Sequence, residues 1–174
     1  MFDVVVAADL DWGIGKASGL PWPKLKGDLA HFKRVTADAP AGQRNAIIMG
    51  RRTWESTEVA GRPLPRRLNI VISRSTLIAP EGVLSARSLD DALAAASTPD
   101  IAATFVVGGA QIFREALAHS ALRSVFLTRV EGRFGCDTVI PNLDAMGFVP
   151  VVWDGACRDE DNHVSYRIER LVRG

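Results

Sequence analysis

Five short stretches of this chain are apolar almost without a break: "FDVVVAA" (2–8), "NAIIMG" (45–50), "LNIVIS" (68–73), "ATFVVGG" (103–109) and "SVFLTRV" (124–130). A strand with one wet face alternates polar and apolar residues. These runs do not, so each reads as a strand buried on both faces. A sheet covered on both sides needs helices, and helix-like segments fall between the runs at 28–36, 51–56, 89–96 and 111–119. Alternating buried strands and helices predict an α/β fold with a mostly parallel sheet. The last segment, "HVSYRIERL", alternates instead. Val164, Tyr166 and Ile168 share one face, and Ser165, Arg167 and Glu169 the other. That pattern predicts an edge-type or antiparallel C-terminal strand closing the sheet.

The 174 residues suffice for one domain with a full core, and no linker, repeat or low-complexity tract divides residues 1–174. The net charge of +1 gives no general attraction to nucleic acid or membrane. No apolar run approaches the length of a span, and Met1-Phe2-Asp3 lacks a basic leader. Cys136 and Cys157 share no metal-ligand spacing, and His31, His119 and His163 are scattered, so no metal is expected. Two reduced thiols suit a cytoplasmic setting. The expectation is a soluble cytoplasmic monomer.

The most informative acid is Asp28, in "GLPWPKLKGDLAHFKRVT". At about 100° per helical residue, Phe32 lies about 40° from Asp28 and Val35 about 20° on its other side. Leu29 widens that stripe, and Lys33 and Arg34 occupy the opposite face. Two readings follow. Asp28 is a helix cap or first-turn acid, although His31 stands where a capping box needs Glu or Gln. Or it is a carboxylate in a half-apolar pocket with a shifted pKa, able to supply a proton or hold N–H groups.

Three strand ends carry further signals. "VVGGAQIF" runs from a buried strand through paired glycines into a helix. It is a tight turn, or a place where a ligand meets backbone and helix N–H groups receive an anion. "MGRRTW" repeats the arrangement, with Arg51 and Arg52 in a first turn that disfavours cations. They are a solvated pair or the sides of a phosphate site. "NIVISR" ends in Ser73 and Arg74, where a dinucleotide fold that prefers NAD places an acid. Hydroxyl plus guanidinium suits a 2′-phosphate. "GIGKASG" is neither a dinucleotide fingerprint nor a P-loop, and reads as a plain loop or a mobile flap. Thr128 lies between the apolar Phe126 and Val130 in strand alternation, and is either a β-branched filler or an inward hydroxyl that bonds a buried carboxylate.

In order, "GIG…LPWP…DLAHFK…IIMGRRTWES…GRPLPRRLNIVISR…VVGGAQIF…FLTRV…CDTVIP" resembles the dihydrofolate reductase family along nearly the whole chain. The resemblance implies about eight strands flanked by helices, with NADPH and dihydrofolate in one cleft, and antifolates as inhibitors. It implies that Asp28 holds the pterin and promotes protonation of its imine nitrogen. Thr128 then bonds that carboxylate, Trp22 orders a water beside it, and Leu20 belongs to the flap. Leu29, Phe32 and Leu64 would wall the substrate, with Arg67 on its tail carboxylate and the backbone of Val5 and Val107 on its amino groups. Ala7 and Ile14 would line the nicotinamide. Gly50, Arg52, Thr53, Gly108, Gly109, Ala110, Gln111 and Ile112 would meet the cofactor's pyrophosphate end, and Arg51, Ser73 and Arg74 its 2′-phosphate.

Three departures stand out. Thr57 follows "TWES" where the family usually has Ile or Leu. Phe113 replaces a frequent Tyr. "TADAPAGQR" lengthens the loop after the first helix. The rival readings are a related NADPH-dependent reductase of a ribosylaminopyrimidinone in riboflavin synthesis and a non-catalytic nucleotide-binding module.

Overall fold

A parallel sheet brings the ends of its strands to one side, and that side is where the signals above gather. The computed structural model describes residues 1–56 and 62–174, with backbone only at 153–156. Thr57 therefore lies outside the described residues. The elements run β1 (Phe2–Ala8), β2 (Gly13–Gly15), α1 (Lys26–Ala37), β3 (Arg44–Gly50), α2 (Arg51–Glu55), β4 (Arg67–Ile72), β5 (Val83–Ala86), α3 (Leu89–Ala95), β6 (Ile101–Val106), α4 (Ala110–Ala118), β7 (Leu122–Val130), β8 (Thr138–Val139), β9 (Phe148–Asp159) and β10 (Val164–Arg173).

Eight strands form one sheet in the order β5-β4-β3-β6-β1-β7-β10-β9. β10 lies antiparallel to both of its neighbours, β7 and β9, and the other pairs are parallel. The five apolar runs form its centre. β1 and β4 are buried almost throughout, as is the middle of β3. Asp3 interrupts β1 without breaking it, because Ser124 donates to it at 2.7 Å and Arg123 pairs with it.

β10 is antiparallel as its pattern predicts, but β9 takes the edge outside it. On its polar face Ser165 and Arg167 stay half-buried, while Glu169 is buried and accepts from Arg167 at 2.8 Å and Arg129 at 3.3 Å. β9 carries Pro150, whose missing N–H suits an edge. The segment "GIG", read as a loop, is a short strand paired with β8. The lengthened loop contributes Thr36 and Ala37 to the end of α1 and Arg44 to β3, leaving 38–43 as connection. Asn45 pins that end, donating to the carbonyls of Thr36 and Asp38 at 3.2 and 2.9 Å.

α1 settles the first reading of Asp28. The helix begins at Lys26, so Asp28 lies inside its first turn, and Leu25 at the cap position offers no side-chain bond. The cap comes from the β9–β10 turn, where Asp159 accepts the Lys26 N–H at 3.0 Å. Asn162 of the same turn donates to the Lys24 carbonyl at 2.9 Å. Capping from elsewhere leaves Asp28 free for another partner.

Gly27 makes the close approach possible, since a Cβ there would overlap the hydroxyl of buried Tyr166. We expect Gly27→Ala to destabilise the protein by about 1–3 kcal/mol through overpacking. Adding Tyr166→Phe should restore most of that loss, because it removes the overlapping atom. Denaturant unfolding of the two variants checks this, and an unrelieved double variant would place the strain elsewhere.

Candidate active site

The C-terminal ends of β1, β3, β4 and β6 open toward one cleft, the usual ligand side of such a sheet. α1 crosses beside it. Thr128, from β7, donates to Asp28 Oδ1 at 2.6 Å across 100 residues of sequence. Burial raises the proton affinity of Asp28 above the ordinary carboxylate, and the Thr128 hydrogen bond only partly opposes this.

Around this pair lie two apolar groups. Trp22, Leu25, Val130 and Tyr166 are buried together, with Ala7 and Leu20 packed against them. The Trp22 ring meets Phe134 edge-on, with centroids 5.6 Å apart. Its Nε1 is buried and has no protein acceptor among the described residues. The other group joins Val5, Met49, Trp54 and Phe105, with Phe32, Val35, Leu64 and Val107 against it. Leu29 belongs to neither and is 44% exposed, so it stands at the rim rather than in the buried stripe.

Arg67 is buried, donating to the Pro65 carbonyl at 3.0 Å and Thr36 Oγ1 at 2.7 Å. Burial, and then neighbouring Arg66, lower its proton affinity. Among the described residues no carboxylate pairs with it, so a buried guanidinium is held by neutral oxygens and can take an anion. Leu64 beside it is fixed by Asn69, which accepts the Leu64 N–H and donates to the Leu64 carbonyl, both at 2.9 Å. Asn69 was not among the candidate residues. Its signal was a lone amide inside the buried run "LNIVIS".

The glycine turns meet. The Gly50 N–H donates to the Gly108 carbonyl at 2.8 Å, tying the end of β3 to the end of β6. The Gly108–Gly109 peptide is cis. A Cβ on Gly109 would stand 3.0 Å from Thr53 Oγ1, and one on Gly108 3.2 Å from it. α4 starts at Ala110 with no side-chain cap on its first N–H groups. Buried Ile112 and Phe113 hold the helix on the core, while Gln111 is exposed. This is backbone suited to a phosphate: glycine on one side, free N–H groups on the other.

The arginines are placed differently from one another. Arg51 binds Glu55 at 2.7 Å and donates to Ser75 Oγ at 2.6 Å, so its first-turn charge already has a local partner. Ser73 is buried and spends its hydroxyl on the Ser75 carbonyl at 2.8 Å, shaping the turn that brings Ser75 to Arg51. Arg52 and Arg74 point into solvent. Arg51 and Ser73 thus both meet Ser75, an unforeseen member, while Arg74 stands exposed on the same turn. Ile14, in β2, packs against the cluster that contains Ile112 and Phe113. The loop bearing it is fastened by Asp137, which accepts the Ala17 N–H at 2.8 Å. Among the described residues no cluster of His, Cys, Asp and Glu is arranged for a metal, and no helix is long and apolar enough to cross a membrane.

A raised carboxylate pKa carries a stability cost with a defined sign. The unfolded Asp28 loses its proton near the ordinary carboxylate value, and the folded one loses it at higher pH. Stability is therefore lost as pH rises from the first value through the second. Asp28→Asn keeps an acceptor for Thr128 and removes that penalty. We expect the variant to be the more stable protein at neutral pH and the difference to vanish in strong acid. Denaturant midpoints against pH for both proteins measure this. An Asn variant that is less stable at pH 7 would contradict it.

A family model described as dihydrofolate reductase matches residues 1–173. The chain is 39% identical over 146 residues to the dihydrofolate reductase of Rattus norvegicus, covering 80% of this chain and 78% of that protein. It is 41% identical over 180 residues to the bifunctional dihydrofolate reductase-thymidylate synthase of Glycine max, covering 99% of this chain. This chain spans about a third of such bifunctional relatives, 33% in that case. Among solved structures, Schistosoma mansoni dihydrofolate reductase superposes with a TM-score of 0.83 at 32% identity, over 98% of this chain and 96% of that one.

Proposed function

We propose that this chain, which belongs to the dihydrofolate reductase family, reduces dihydrofolate to tetrahydrofolate with NADPH. The observation that carries the reading is the Asp28–Thr128 pair, a half-buried acid bonded at 2.6 Å between two apolar walls. The reaction adds a hydride to the imine carbon of the pterin and a proton to its nitrogen. Bound NADPH supplies the hydride. Asp28 receives the pterin's amino group and ring N–H, and Thr128 fixes the carboxylate that does so. A single negative charge in a half-apolar site favours the protonated pterin, and Trp22 Nε1 is placed to hold the water that brings the proton. Phe32 and Leu64, with Leu29 at the rim, press the rings and exclude bulk water, and the backbone of Val5 and Val107 accepts from the pterin amino groups.

The uncapped start of α4, with Gly108, Gly109 and Thr53, fits a pyrophosphate. Arg51, Ser73 and Arg74 around their turn fit a 2′-phosphate and favour NADPH over NADH. Arg67 takes the carboxylate of the substrate's tail. In this reading residues 1–174 act as one domain, a cytoplasmic monomer open to antifolates.

Absorbance at the NADPH band tests the activity. NADPH should be consumed when dihydrofolate is added, and NADH much more slowly. Asp28→Asn should slow hydride transfer at pH 7 by roughly 10²–10⁴-fold, the range of a general acid–base group. The wild-type rate should decline as pH rises through the raised pKa, and the variant should partly recover in acid. A fully active Asn variant would remove Asp28 from the chemistry.

Arg67→Lys tests the substrate tail, since lysine cannot reproduce a bidentate grip. The Michaelis constant for dihydrofolate should rise, while a pterin lacking the glutamate should be reduced as before. Equal losses for both substrates would make Arg67 structural.

A further inference from the structure

The root of the flap holds a carboxylate that the chemistry above does not use. Asp9 follows β1 and is buried. Its Oδ1 accepts the backbone N–H of Asp11 at 2.9 Å and of Gly13 at 2.8 Å. Its Oδ2 accepts the N–H of Phe134 at 3.1 Å and the thiol of Cys136 at 3.4 Å. One oxygen serves the chain leaving β1, and the other serves the segment between β7 and β8. We propose that Asp9 is a positioning residue for hydride transfer, a two-sided clip that joins the segment bearing Ile14 and Leu20 to the 132–136 loop. This rests on the function proposed above.

The surroundings are built for a carboxylate. Four donors converge on two oxygens, which no neutral side chain of that length can satisfy. Asparagine would turn an NH₂ toward one pair of donors, leaving them buried and unpaired. Cys136 remains a donor across the neutral range, its thiol pushed up to about 11 by burial and by Asp9. Gly13 is needed for closure: a Cβ there would overlap the Cys136 side chain and stand 2.9 Å from Asp9 Oδ1.

The clip is continuous with the site. The Asp9 N–H donates to the Gly13 carbonyl at 2.9 Å, and the Leu10 N–H to the Gly132 carbonyl at 3.1 Å. From Gly13 the chain enters β2, which pairs Gly13 with Val139 and Gly15 with Thr138 of β8. Ile14 lies between those two and packs against the large apolar cluster of the core. Further along, Leu20 packs with Trp22. On the other side, Phe134 lies against the Trp22 ring. Both segments that Asp9 joins therefore carry side chains that pack with Trp22, and the clip sets their separation.

Amide hydrogen exchange of the free protein and single-turnover hydride transfer test the two halves of the proposal. In Asp9→Asn, the Gly13 and Phe134 amides should lose protection while those of β3 and β4 keep it. Hydride transfer at saturating NADPH and dihydrofolate should slow by roughly 10- to 100-fold, the scale of a small misplacement. The Michaelis constant for dihydrofolate should stay nearly constant, since Asp9 touches no substrate. Should Asp9→Asn not fold, Gly13→Ala wedges the same contact from the loop side and is read in the same way.

Unchanged exchange at Gly13 and Phe134 would overturn the clip. A loosened flap with a wild-type hydride rate would overturn its role in positioning, as would a uniform loss of protection with parallel losses in all kinetic constants. A wild-type protein that does not reduce dihydrofolate would refute the proposed function instead, and exchange would still decide whether the clip exists.

Discussion

The hydrogen bond from Thr128 to Asp28 holds together two parts of the molecule that sequence keeps 100 residues apart. A carboxylate on the inner side of a helix opposes burial unless a donor meets it. Thr128 can meet it only if α1 lies low across β7, which requires a glycine at position 27 and the Tyr166 ring beneath it. It also requires the helix to start without Asp28 as its cap. Asp159 supplies that cap from the far side of the sheet. The C-terminal hairpin thus aims the acid as well as lending Tyr166 to the apolar wall beside it, and the antiparallel β10 inside the sheet is what brings the hairpin there.

The rest of the site follows from parallel strands. β1, β3, β4 and β6 end on one side, so the turns after them are neighbours although 40 or more residues separate some of them. The glycine turns after β3 and β6 are bonded to each other through Gly50 and Gly108. The 73–75 turn reaches Arg51 in the same way. Such a layout separates tasks. In the function proposed above, backbone N–H groups and small residues would serve phosphate, apolar side chains the flat rings, and one acid the proton.

Charge is placed with the same economy. Buried Asp3 and Glu169 have arginine partners, and buried Asp9 has three backbone N–H groups and a thiol. Arg67 has only neutral oxygens. Asp28 has only a hydroxyl and keeps a raised proton affinity. Asp28 and Arg67 are the pair whose hydrogen bonding a ligand with an N–H edge and a carboxylate tail would complete in the function proposed above.

Much of the architecture was legible because its signal is local. An unbroken apolar run such as "NIVIS" has few solutions other than a doubly covered strand, and paired glycines before "AQIF" announce a backbone that must leave room. Alternation in "HVSYRIERL" marked a different kind of strand. It could not say that β9 lies outside β10, because the edge position depends on a partner whose Pro150 and mixed residues carry no clear period. Side-chain pairings across the fold were likewise invisible to periodicity. The helical wheel put Asp28 on an inward face and the family resemblance named Thr128 as its partner, yet only the tertiary structure showed the geometry of that bond, Asp159 as the cap that frees the acid, Leu29 on the rim and Arg51 answered by Glu55. Periodicity is a property of neighbours in sequence and survives in the sequence alone. A hydrogen bond over 100 residues exists only after the chain has closed, so its geometry belongs to the fold.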